Sequence, residues 1–152
     1  MSKVTVYIGR NVSELKFCTG MFSHETPYGI FEGTIYINPM STSRHMPETN
    51  LHPTDICLAL VKDVDWCLNR WDLSISTTSK HVIDALGELI RANVLKIQDI
   101  AINILNEDNQ IDSVAGFDAE GYLTNWPVGC LSPNFDLLEE KIKELKNKIE
   151  QV

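Results

Sequence analysis

The chain has no Cys-x-x-Cys pair, no long run of basic residues and no apolar stretch of leader or membrane length. Its four cysteines, Cys18, Cys57, Cys67 and Cys130, are scattered, which argues against a zinc knuckle or a redox pair and leaves buried free thiols as the reading. Lysine and arginine number 13 against 21 aspartates and glutamates, a net charge of −8. Neutralisation of phosphates by Lys and Arg supplies most nucleic-acid affinity, so direct nucleic-acid binding is not expected. The first apolar run, residues 4–8, is too short for a signal peptide and has no cleavage site after it. A cytoplasmic protein with no membrane partner is therefore expected.

What is present is the composition of an ordinary globule, 43% hydrophobic and 22% charged over 152 residues. A chain of this length buries roughly two-thirds of its unfolded surface and needs no covalent staple. One domain, 1–152, is expected.

Residues 3–8 are β-branched and aromatic, read as a strand, and end at Gly9. Gly20, Pro27, Gly29 and Gly33 make residues 17–34 a loop region with at most a short strand at 29–31. Residues 34–37 read as a second strand ending in Asn38, and 39–45 as a polar stretch. Over 54–71 the positions Cys57, Leu60, Val61, Val64, Leu68 and Trp71 recur at helical spacing, with Pro53 in the first turn and Thr54 or Asp55 near the N-cap. A strand at 72–76 follows, then Ser79 as the cap of a helix over 80–93 with Val82, Ile83, Leu86, Leu89 and Ile90 inward.

Residues 100–105 and 111–117 flank the polar turn 106–110 as a β-hairpin, and a second turn, 118–121, leads to 122–126. After Pro133 a last helix, 134–152, places Leu138, Ile142, Leu145, Ile149 and Val152 at steps of 4, 3, 4 and 3. Glu139 with Lys143 and Glu144 with Lys148 stand four apart in the favourable order. The stripe suits packing on the sheet or a dimer contact, and both readings stay open. Alternation of strands and helices predicts an α/β fold: a mostly parallel sheet with flanking helices, a terminal hairpin and the C-terminal helix. His45, Glu48, His52 and Asp55 lie close in sequence and could hold a metal, but helix initiation explains the same residues; His81 reads as a surface residue.

Pro47, Glu48, Leu51, His52 and Pro53, followed by helix, strand and Ser76-Thr77-Thr78-Ser79, resemble the RecF/OLD-type ABC ATPases. In that family a Walker B strand runs into an acidic-Pro-Glu-x-x-Leu-His-Pro turn, and the strand after the next helix ends in Thr-His-Ser. Residues 118–129, Asp-Ala-Glu-Gly-Tyr-Leu-Thr-Asn-Trp-Pro-Val-Gly, resemble the end of one branch of the family. Gly9, Asn11 and Ser13 match the opening of its P-loop, Gly-x-Asn-x-Ser-Gly-Lys-Ser. The resemblance covers 46–140, and 3–13 through these three residues.

It implies a reduced ABC-type nucleotide-binding fold, with Gly9, Asn11 and Ser13 as nucleotide-binding residues and Glu48, Asn50 and His52 as a turn facing a partner ATPase head. Each position that does chemistry in the family is substituted: Glu14, Leu15 and Lys16 replace Gly-Lys-Ser, Asn38 stands for a magnesium-binding aspartate, Met46 for the water-polarising glutamate and Thr78 for the switch histidine. A thioether accepts no proton, and a hydroxyl does not change charge near neutral pH. The expectation is a catalytically inactive ATPase-like protein with no catalytic residue, cofactor or metal. It would bind or regulate a full-length ATPase, as a decoy in one version, in DNA repair or phage defence. The alternatives are ATP and magnesium binding completed in trans by a partner, and a structural homodimeric module.

Overall fold

The computed structural model describes residues 3–19, 30–31, 34–37, 41–46, 52–68 and 70–151. The first strand, β1 (Val4–Ile8), is buried on both sides, which is why it reads as a nearly continuous apolar run. A single 3-10 turn, Val12–Glu14, follows, then β2 (Lys16–Thr19), β3 (Ile30–Phe31) and β4 (Thr34–Ile37). These three form a small separate sheet in the order β2-β4-β3. β5 (Ser41–Met46), α1 (Pro53–Cys67), β6 (Asp72–Thr77), α2 (Lys80–Arg91), β7 (Ile100–Leu105), β8 (Ile111–Phe117), β9 (Leu123–Thr124) and α3 (Phe135–Glu150) complete the chain.

The main sheet runs β5-β6-β1-β7-β8-β9. Its first four strands are parallel and the last two antiparallel. The sheet is therefore mixed, not mostly parallel as expected: the hairpin turn at 106–110 reverses the chain at β7, and everything after it pairs antiparallel. From β5 to β6 and from β6 across β1 to β7 the chain steps the same way along the sheet. Crossovers of one hand then put α1 and α2 on one face, where they pack together. Val4, Val6 and Ile8 meet them there with Leu60, Val64, Ile75, Ile83, Leu86 and Ile102. Tyr7 and Leu105 point to the other face and cluster with Val12 and Leu15.

The expected hairpin and the helix capped by Ser79 are present, with Ser79 Oγ accepting from His81 N at 3.2 Å. Other expectations need correction. The strand paired to β6 is β5, which falls largely in the polar stretch 39–45, whereas residues 34–37 belong to the small sheet. An edge strand need not be apolar on both faces, so Ser-Thr-Ser-Arg-His-Met carried no alternating signal. α1 ends at Cys67, not Trp71: the chain turns through Leu68, and Trp71 stacks on Trp66 with ring centroids 6.3 Å apart. Its buried stripe is Ile56, Leu60, Val64 and Cys67, while Val61 is exposed. α3 is exposed along its whole described length, so it does not pack on the sheet, and its ion pair joins Lys141 to Glu144 at 3.3 Å in place of the pairs expected four residues apart. No helix among the described residues is long and apolar enough to cross a membrane.

Candidate functional site

In parallel α/β sheets ligands sit beyond the carboxyl ends of the strands, where neighbouring loops diverge. Here a row of paired residues, Met46–Thr77–Ile8–Ile104, closes that edge across β5, β6, β1 and β7. The residues just past the row, Gly9 and Thr78, line one crevice of about 910 Å³. Its floor is Ile8, Ile104 and Leu105, and its far wall is the loop 127–134 with the first turn of α3. The segments behind the P-loop resemblance, the switch position and the Trp-Pro motif thus meet at one place. Met46 lies at the same edge, half-buried against the core.

Around β1 the local geometry follows from packing. A Cβ on Gly9 would stand 3.1 Å from Leu105 Cβ and 3.2 Å from the Leu105 carbonyl oxygen, so glycine lets β1 and β7 close at their ends. Asn11 is tied to the hairpin turn: its Nδ2 donates to the Glu107 carbonyl at 2.9 Å, and Asn109 Nδ2 donates to the Asn11 carbonyl at 3.1 Å. Arg10 reaches Glu107 at 3.6 Å beside them. Glu14 is exposed and Leu15 is buried with Tyr7 and Val12. Lys16 opens β2, a strand, where a phosphate-binding loop would lead into a helix whose N-terminal N–H groups face the anion. The side chain of Ser13 lies outside the described residues.

Beyond β5 and β6 the placements are as follows. Asn38 lies outside the described residues, and the strand that meets β6 ends instead in Arg44-His45-Met46, with no carboxylate among the three. Glu48 and Asn50 also lie outside them. His52 is the N-cap of α1, its Nδ1 accepting from Thr54 N at 3.1 Å, and Thr54 and Asp55 follow in the first turn, near the cap as expected. Pro53 occupies the first helical position, where a missing N–H costs nothing.

Sequence reasoning missed Thr77. Fully buried, its hydroxyl donates to the Met46 carbonyl and accepts from Ser79 N at 2.9 Å, joining the end of β5 to the start of α2. It also missed the latch that holds the second turn. Arg91 donates from Nη1 to the Gly121 carbonyl at 3.2 Å, lies over the Tyr122 ring at 5.6 Å and binds Glu88 at 2.6 Å. That hydrogen bond and the guanidinium charge hold the Glu88 carboxyl below its ordinary range. Leu131, on the crevice wall, has φ 61, a left-handed backbone that costs a branched residue about 1 kcal/mol. Neither feature has a one-residue sequence signal, because each depends on a partner distant in the chain.

Chemically the crevice offers little. Its charged lining is Arg10, Asp112 and Lys141, and its one thiol, Cys130, is pushed up by burial and so is not a ready nucleophile. Among the described residues no three His, Cys, Asp or Glu side chains stand together as metal ligands. Comparison with known protein families, with curated proteins and with solved structures finds no match.

Proposed function

We propose that the chain is a catalytically inactive, reduced ATPase-like module of the RecF/OLD type, acting in the cytoplasm as a binding or regulatory partner of a full-length ATPase in DNA repair or phage defence. The observation that carries this reading is the Met46–Thr77–Ile8 row. It sets the substituted position Met46 at the same sheet edge as the pair Gly9 and Thr78 just beyond it. Phosphoryl transfer needs magnesium, contacts to the γ-phosphate and an oriented water. A thioether, a threonine hydroxyl and a 3-10 turn running into a strand supply none of these at that edge. A retained shape with substituted chemistry suits a protein that works by contact.

Calorimetry with ATP and magnesium is expected to show no dissociation constant tighter than about millimolar, roughly −4 kcal/mol of binding. A micromolar constant overturns the inactive reading. The partner reading is tested separately, by titrating the chain into a purified OLD-type ATPase and following phosphate release. A dose-dependent change is expected, and Glu48→Ala with Asn50→Ala is expected to weaken it by about 1 kcal/mol or more for each residue. No effect of the unaltered chain on the ATPase rejects it.

A further inference from the structure

Among the described residues, positive φ falls on Asn93, Asn109, Asn125, Gly121 and Gly129, all of residue types that tolerate it, and on Leu131. Leu131, at φ 61, is the exception, and it stands in the loop that walls the crevice. A strained backbone persists only where its surroundings hold it, and such residues gather at clamps and switches. We propose that Leu131 is the catch of a gate. Loop 127–133 exchanges between the closed form of the structure, with Leu131 packed on the core, and an open form in which Leu131 leaves the core, its backbone returns to negative φ and the far wall of the crevice swings out.

The loop is a pair of linked turns. Cys130 N donates to the Pro127 carbonyl at 3.1 Å, and Ser132 N donates to the Gly129 carbonyl at 3.0 Å. The third residue of the first turn is Gly129, at φ 78, and the third of the second is Leu131. A turn with positive φ at its third residue calls for glycine or asparagine there, so the first turn obeys the rule and the second breaks it. Both hydrogen bonds lie inside the loop, and among the described residues none ties 127–133 to the sheet. The tip stands clear of the body: Val128 is fully exposed, and a Cβ on Gly129 would meet nothing within 4 Å. What holds the loop down is the apolar contact of Cys130 and Leu131 with the core. Pro127 and Pro133 fix φ at its two ends, which confines rotation to the residues between them.

The opposing contributions are close in size. A left-handed backbone at a residue with a side chain weights against the closed form by a factor of about 5 to 30. Half-burying a leucine weights for it by a factor of roughly 4 to 12. The Cys130 contact and the exposed Ser132–Gly129 hydrogen bond add to the closed side, the second by a few-fold at most. No contribution dominates, so the open form holds roughly a tenth of the molecules, a minor state within the ordinary range. Opening breaks no bond to the sheet, and the gate therefore moves without unfolding the rest.

Iodoacetamide labelling of the intact chain, resolved by peptide mass spectrometry, reads the gate at Cys130, beside the catch. Burial pushes that thiol up and so slows its reaction in the closed form. Cys67, 2% exposed in α1, reads global unfolding. Relative to the chain in urea, Cys130 is expected to label about tenfold more slowly and Cys67 more than about 1,000-fold more slowly. Leu131→Ala keeps the strain and removes most of the packing, so Cys130 should label about fourfold faster while Cys67 stays nearly unchanged. Leu131→Gly removes packing and strain together, so it should label about threefold more slowly than the alanine variant although its side chain is smaller. A glycine variant as fast as alanine or faster assigns the contact to packing alone and overturns the catch. So does a Cys130 rate that neither substitution changes, and so does a Cys67 rate that rises in step with Cys130, since the loop then moves only with the whole fold. The measurement uses neither nucleotide nor ATPase, so its failure and that of the proposed function are separate results.

Discussion

Gly121→Ala is expected to lower the unfolding free energy by about 3 kcal/mol or more. Gly121 has φ +82, where an added Cβ costs roughly 1–2 kcal/mol through its own backbone. That Cβ would also stand 2.5 Å from the Gly87 carbonyl oxygen and 2.9 Å from Arg91 Cγ. Arg91 could swing away, but the carbonyl belongs to the interior of α2 and cannot. Relief must come from lifting the turn off the helix, which breaks the Arg91–Gly121 hydrogen bond and pulls Tyr122 from beneath the guanidinium. Gly87→Ala meets the same contact from the other side, its Cβ 2.7 Å from the Gly121 carbonyl oxygen, but alanine recovers up to about 1 kcal/mol of helix propensity. The double variant should therefore cost clearly less than the two singles together, since one displacement relieves both. Urea unfolding followed by tryptophan fluorescence measures all three. Additive losses would mean that the turn and α2 are not held by this contact.

How much of this was legible depended on whether a signal was local. Ser79 and the apolar spacing of Val82, Ile83, Leu86 and Ile90 agree with each other, so α2 and its cap could be read directly. The hairpin was legible because Asn106 builds its turn locally, its Oδ1 accepting from Asp108 N and Gln110 N, and Asp118 does the same for the second turn. β4 and β5 show the opposite case. Pattern identifies a strand but not its neighbour, so residues 34–37 read correctly as a strand with nothing to place it in the small sheet, while polar β5 carries no strand signal. α3 was read as a helix with one apolar face, yet periodicity says nothing about whether that face is covered. At the candidate site, Gly9 and Thr78 were singled out through resemblance to a family, but their shared crevice depends on β6 lying beside β1, a neighbourhood that no spacing along the chain records.

Thr77→Val is expected to cost about 2–3 kcal/mol although the two side chains have nearly the same shape. The methyl that replaces the hydroxyl fits the same volume, so packing against the core changes little. The hydrogen bonds do change. Ser79 N, in a fully buried residue, loses the acceptor at 2.9 Å, and the Met46 carbonyl loses its donor. A buried donor left without a partner costs roughly 1–3 kcal/mol, and the Met46 carbonyl adds less, because it is only partly buried and water can reach it in part. Thr77→Ser keeps both bonds and removes one methyl, so about 1 kcal/mol is expected there. The order of the variants is the decisive reading: serine above valine assigns the stabilisation to the hydroxyl, and valine equal to or above serine assigns it to packing. Hydrogen exchange sharpens the result. In the valine variant the Ser79 amide should exchange faster by more than the global loss accounts for, while amides in the β7–β8 hairpin should follow the global change. If Ser79 is no faster than the hairpin, the Thr77 hydroxyl is not what joins the edge strand to the start of α2.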